Sequence, residues 1–179
     1  MGISSIMLMF ILVAPDIIML LFEKNYYEAI WCIPPIVMGV YFMFLYSVFM
    51  NVETFFEKTK YVMYVSVACG LINIVLNYIC IKIWGYIACG YTTMICYIIF
   101  AIGHYYFMRK TVKAEGIKEN IFNYKSIFLI SLGTVLLGVL FTVLYNYRLA
   151  RWAILGIILL CLFGMRNKIR YLMNILKNN

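Results

Sequence analysis

One aspartate, Asp16, one histidine, His104, and three prolines are all that the 179 residues contain of those types, and charged residues make up only 12% of the chain. Soluble domains of ordinary make-up carry about 25% charge. Each scarcity excludes something. A single Asp and a single His cannot by themselves build a paired-aspartate site or most intramembrane metal sites. The sequence has no H-E-x-x-H, no Walker loop, no G-x-S-x-G and no G-x-G-x-x-G. The six cysteines, Cys32, Cys69, Cys80, Cys89, Cys96 and Cys161, include no C-x-x-C pair, so they read as small apolar packing rather than a disulfide framework or zinc site. The opening MGISSIMLMF lacks a basic n-region and a small-residue cleavage site, so it is not a cleaved signal peptide. It begins almost inside an apolar run, which suggests a compact first helix or a chain whose upstream part is missing. Glu23, Glu28, Glu53, Glu57, Glu115 and Glu119 are assigned to loops or interfaces as solvated groups, and His104 to an interfacial position beside Tyr105 and Tyr106. Catalysis is disfavoured, and no cofactor is implied.

What the sequence does have is apolar surface: 66% hydrophobic residues and a mean hydropathy of +0.95. These residues come in runs of about 20, enough at ~1.5 Å per residue to cross a hydrocarbon core of ~30 Å. The reading is an all-α integral membrane protein with six spans, at about 2–22, 30–50, 61–81, 86–108, 126–147 and 149–165, followed by a tail over 166–179. The sixth is short, and it crosses if Arg151 and Arg166 snorkel to opposite interfaces. Tyrosines and tryptophans such as Tyr26, Trp31, Trp84, Tyr105 and Trp152 gather near the proposed ends, as interfacial aromatics do.

A net charge of +8 invites a nucleic-acid reading, but the basic residues sort by loop and form no stripe. Lys58, Lys60, Arg109, Lys110, Lys113, Lys118, Lys125, Arg166, Lys168, Arg170 and Lys177 fall on one side. Lys24, Lys82, Arg148 and Arg151 fall on the other. The positive-inside rule then puts both termini in the cytoplasm and makes anionic inner-leaflet lipids, not nucleic acid, the partner of the larger set.

Inside the spans, polar residues are few and grouped. Ser66, Gly70, Asn73 and Asn77 follow one face of the third span, and Gly85, Cys89, Thr92, Cys96 and Gly103 recur at helical intervals in the fourth. Two readings stand: helix–helix packing through small and amide side chains, or a hydrated cavity lined by Asn73, Asn77 and Thr92. With this topology Asp16, Asn73, Asn77, Thr92 and Thr93 share the outer leaflet. A carboxylate facing lipid costs at least ~2.5 kcal/mol, so Asp16 is expected to face protein or water. Pro15 lacks an N–H and disturbs the turn before it, freeing carbonyls for a polar partner. The fifth and sixth spans look peripheral.

Three stretches in order carry a resemblance: APDIIMLLFEKNYYEA, IPPIVMGVYFMFLYSVFMN and EKTKYVMYVSVACGLINIVLNYICIKIWGYIACGYTTMICY. An A-P-acid-I-I-x-L-L-F helix end before a tyrosine-bearing loop, a K-T loop, an N-x-x-x-N pair and a Gly-Tyr start with Thr-Thr together resemble the C-terminal half of bacterial polysaccharide-repeat flippases, the Wzx-type transporters of the MATE-like superfamily. The resemblance covers about 10–165.

It implies a bacterial plasma-membrane transporter that moves an undecaprenyl-diphosphate-linked oligosaccharide between leaflets for polysaccharide or lipopolysaccharide biosynthesis. Such proteins have two lobes of about six helices each, rocking around a central cavity. The chain would then be most of one lobe, completed by the missing N-terminal lobe or a second copy. A diphosphate wants Arg or Lys, so the cation comes from the absent lobe or from Lys82, Arg148 and Arg151 at the outer rim. Asp16 would repel phosphate and fits cation coupling or packing instead. The competing readings are a stand-alone six-span structural or partner subunit and, less well supported, a membrane enzyme, for which the longest loop, about 109–125, is too short and too lysine-rich.

Overall fold

The computed structural model describes residues 2–117 and 119–164. Of the expected cytoplasmic basic set, Lys118, Arg166, Lys168, Arg170 and Lys177 lie outside the described residues. Among the described residues the chain is helical, with six α-helices: α1 (Gly2–Leu21), α2 (Ile33–Phe55), α3 (Thr59–Trp84), α4 (Ala88–Ala114), α5 (Tyr124–Val143) and α6 (Arg148–Gly164). A 3-10 stretch over Lys24–Cys32 joins α1 to α2, and a short 3-10 turn, Leu144–Asn146, joins α5 to α6.

The helix ends follow local chemistry. Pro34 and Pro35 occupy the first turn of α2, where backbone N–H groups have no intrahelical acceptor to lose. Asn123 caps α5 by accepting from the Ser126 N–H at 3.1 Å. At the end of α4, Gly116 takes φ +75°, the Ile117 N–H reaches the Val112 carbonyl, and the Gly116 N–H reaches that of Lys113. Those paired bonds satisfy carbonyls that a helix end otherwise leaves open.

Five of the segments are long and apolar enough to cross a membrane: Gly2–Leu21, Lys24–Phe55, Thr59–Trp84, Ala88–Ala114 and Tyr124–Asn146. The sixth helix, α6, has 17 residues. Large apolar side chains such as Leu71, Ile74 and Val75 on α3 and Leu136, Val139 and Leu140 on α5 point outward. Hydrocarbon, unlike water, imposes no penalty on them.

Helix α2 runs through the middle of the bundle. It lies beside α4, with Gly39 against Met94 near one end and Glu53 against His104 near the other. The closest approach is at Gly90: a Cβ there would stand 2.9 Å from the Cys32 carbonyl oxygen and 3.0 Å from the Pro35 ring. Only glycine lets those two backbones meet. On its other flank α2 meets α1 and α5 through a cluster of Ile11, Leu12, Val37, Met38 and Phe141. Helix α3 packs antiparallel along α4, with Tyr61 stacked on Phe107, Val65 against Gly103, and Asn77 against Thr92.

Three expectations need correction. Helix α2 continues to Phe55 rather than ending near 50, so Glu53 is helical and fully buried instead of solvated in a loop. Helices α5 and α6 are not merely peripheral. Ser131 on α5 hydrogen-bonds Tyr41 on α2 at 2.9 Å, and Arg151 on α6 is 3% exposed and bonded to α1. The face of α3 is also not the expected one: Ser66 and Gly70 are exposed, whereas Val65 and Cys69 are buried. Contact follows the row Val65, Cys69, Asn73, Asn77, spaced by four throughout. Packing along an i±4 ridge selects that row over one spaced four, three, four.

Candidate functional site

Polar groups inside the bundle form three clusters, two at one end and one nearer the other. The first joins α1 to α6. Asp16, 16% exposed by side chain, accepts from Arg151 Nη1 at 2.8 Å through Oδ2, and its Oδ1 lies 3.2 Å from Arg148 Nε. The same Arg151 nitrogen donates to the Leu12 carbonyl at 2.8 Å. Helix α1 runs unbroken through Pro15, whose missing N–H and bulky ring disturb the turn that contains Leu12. Arg151 uses that turn. Pro15 leaves the Ile11 carbonyl without its usual N–H, Arg151 bonds the next carbonyl, that of Leu12, and Arg151 does not snorkel to an interface. Arg148, 76% exposed, stays at the rim. Two guanidiniums against one carboxylate leave this end with surplus positive charge.

The second cluster is the α3–α4 seam at the same end. Asn77 Nδ2 donates to Asn73 Oδ1 at 3.0 Å, and the Thr92 hydroxyl contacts Asn77 Oδ1. That hydroxyl also lies 3.2 Å from the Ala88 carbonyl and 3.0 Å from that of Cys89, yet it has one proton to donate. A groove of about 320 Å³ runs alongside, walled by Cys80, Trp84, Tyr91, Thr92 and Ile95. Of the three polar residues only Thr92 lines this groove; Asn73 and Asn77 meet each other along α3, and Asn77 meets Thr92 across the seam. Asn77→Leu is expected to cost about 1 kcal/mol, the size of an interhelical hydrogen bond, read as a fall in the unfolding midpoint of the purified protein in micelles. Thr93 sits one residue off the seam within α4, and its side chain makes no hydrogen bond among the described residues. Lys82 turns back onto its own helix, 2.6 Å from the Tyr78 hydroxyl, and joins neither cluster.

The third cluster was not expected from sequence. His104 Nδ1 lies 3.0 Å and 3.2 Å from the two carboxylate oxygens of Glu53, and both side chains are 0% exposed. Both distances are those of a hydrogen bond, with one proton shared between the ring nitrogen and the carboxyl group. The imidazole stacks on Tyr46 and Phe100, with centroids 5.7 and 5.9 Å away. Its Nε2 is buried with no partner among the described residues. The placement has a sequence cause: Tyr46, Phe49 and Glu53 on α2 and Phe100, His104 and Met108 on α4 follow helical spacing, so each set shares a face. The signal that could have found the pair is a histidine and a glutamate each set in an aromatic-rich helical row.

The class defined here is a helical protein with five segments long and apolar enough to span a membrane and with acid–base pairs buried between its helices. Compared with known protein families, curated proteins and solved structures, the chain matches none.

Proposed function

We propose that the chain is the C-terminal portion of a flippase that carries a diphosphate-linked lipid oligosaccharide across the bacterial plasma membrane, both termini cytoplasmic. The observation that carries this reading is the Asp16–Arg148–Arg151 cluster set in a largely apolar bundle, with a second acid–base pair, Glu53–His104, buried between α2 and α4. Ionisable groups in membrane helices cost several kcal/mol unless paired, and they mark translocation paths or moving contacts. A surplus cation at the expected outer end suits release of an anionic headgroup better than an enzyme or a passive scaffold would. The order of the Pro15–Asp16, Asn73–Asn77 and Thr92–Thr93 motifs supports the same family resemblance. Lys82 contributes charge to that end without touching the clusters.

The test is deletion of the gene followed by leaflet-resolved measurement of lipid-linked oligosaccharide. Surface polysaccharide is expected to fall and the lipid-linked precursor to accumulate on the cytoplasmic leaflet. Unchanged polysaccharide and an unchanged precursor distribution would refute the transport role and favour a structural subunit.

A further inference from the structure

At the expected outer end, α1 and α6 diverge around an open cleft of about 460 Å³. Its walls combine Asp16 and Arg148 with apolar Val13, Ile17 and Leu20, and Trp152 stands at its mouth, 48% exposed. Arg148 faces Asp16 through Nε, and its two terminal nitrogens make no hydrogen bond among the described residues. Arg151 has already balanced the aspartate from the buried side, with an Nε of its own left unpaired. The cleft therefore carries one uncompensated positive charge, at the N-terminus of α6, where the helix dipole adds to it. A guanidinium with free terminal nitrogens matches phosphate oxygens in a fork, and an indole at a membrane boundary sits at headgroup level. The apolar remainder of the wall suits an acyl or prenyl chain and has nothing to offer a free ion.

We infer that this α1–α6 cleft binds the phosphate headgroup of a membrane lipid, Arg148 taking the phosphate and Val13, Ile17, Leu20 and Trp152 taking the first stretch of its chain. Binding of this kind requires no transport and goes beyond the flippase reading. A chain that binds but does not flip keeps this inference and loses the other.

The experiment uses the purified full chain in phosphatidylcholine nanodiscs, with brominated phosphatidic acid as the probe. Quenching of Trp152 is the emission difference between the wild type and Trp152→Phe. Half-quenching is expected at a mole fraction about tenfold lower than for brominated phosphatidylcholine, the scale of one charge-assisted hydrogen bond. Arg148→Gln is expected to erase that difference while leaving the unfolding midpoint in place, because Arg151 still holds α6 to α1. Equal quenching by the two lipids, a preference that survives Arg148→Gln, or inorganic phosphate competing as well as phosphatidic acid would each overturn the assignment.

Discussion

Replacing His104 with leucine is expected to destabilise the protein by about 3–5 kcal/mol, the loss seen when one member of a buried ion pair is removed and the other stays behind. Glu53 would then stand with both carboxylate oxygens buried against α4 and no donor within reach, because His104 Nδ1 faces both of them. The double variant Glu53→Met, His104→Leu is expected to recover most of the loss, since a well-packed apolar pair replaces a pair that had to be desolvated. Unfolding in mixed micelles, run as a double-mutant cycle, reads both numbers and their coupling. If the single variant costs less than about 1 kcal/mol and the double variant is no better, the pair is not held dry. Because α2 and α4 form the most extensive helix contact, the loss should appear as lowered global stability and not as local fraying.

Arg151→Met is expected to cost about 2–5 kcal/mol, whereas Arg148→Met should cost less than about 1 kcal/mol, although both residues contact one carboxylate. The difference is burial: the Arg151 side chain is 3% exposed and that of Arg148 is 76% exposed. Arg151 also donates to the Leu12 carbonyl, so its loss strands two acceptors inside the α1–α6 contact. Lysine at 151 would keep the charge but present a point where a fork is used, and an intermediate loss is expected. The measurement is again the unfolding midpoint in micelles, with cross-linking between α1 and α6 to show whether α6 leaves first. Equal costs for the two arginines would mean that water reaches Arg151, and the buried bridge would have to be given up.

The helices were legible because their signal is local: runs of about 20 apolar residues are set by what each residue is, whatever it touches. Asp16 was legible as a group turned into the bundle, and Asn77 with Thr92 as a polar contact, because a hydrocarbon surround leaves such side chains few alternatives. What they touch was less legible. Nothing near Asp16 in the chain points to a partner 135 residues later. Sequence alone puts Arg151 at an interface, because a long cationic side chain near a helix end ordinarily snorkels, and only the neighbouring α1 changes the outcome. The apolar run leaves Glu53 outside the span because such runs mark where hydrocarbon ends, not where a helix ends, and α2 continues past that point to Phe55. The rotated face of α3 has a similar origin. Ser66 and Gly70 are small enough to have packed against α4, but the Val65–Cys69 row did so, and spacing alone does not rank two rows one residue apart.

The bridge from Arg151 to Asp16 also dictates an order of events during synthesis. Asp16 leaves the ribosome 135 residues before its buried partner, an interval of roughly 7–27 s at ~5–20 residues per second. Throughout that interval the Asp16 carboxylate is without its buried partner. The 17 residues of α6, headed by two arginines, are in turn poorly suited to partition into lipid on their own. Helix α6 thus depends on α1 for a partner to its buried arginine, and that contact closes only after both helices have been made.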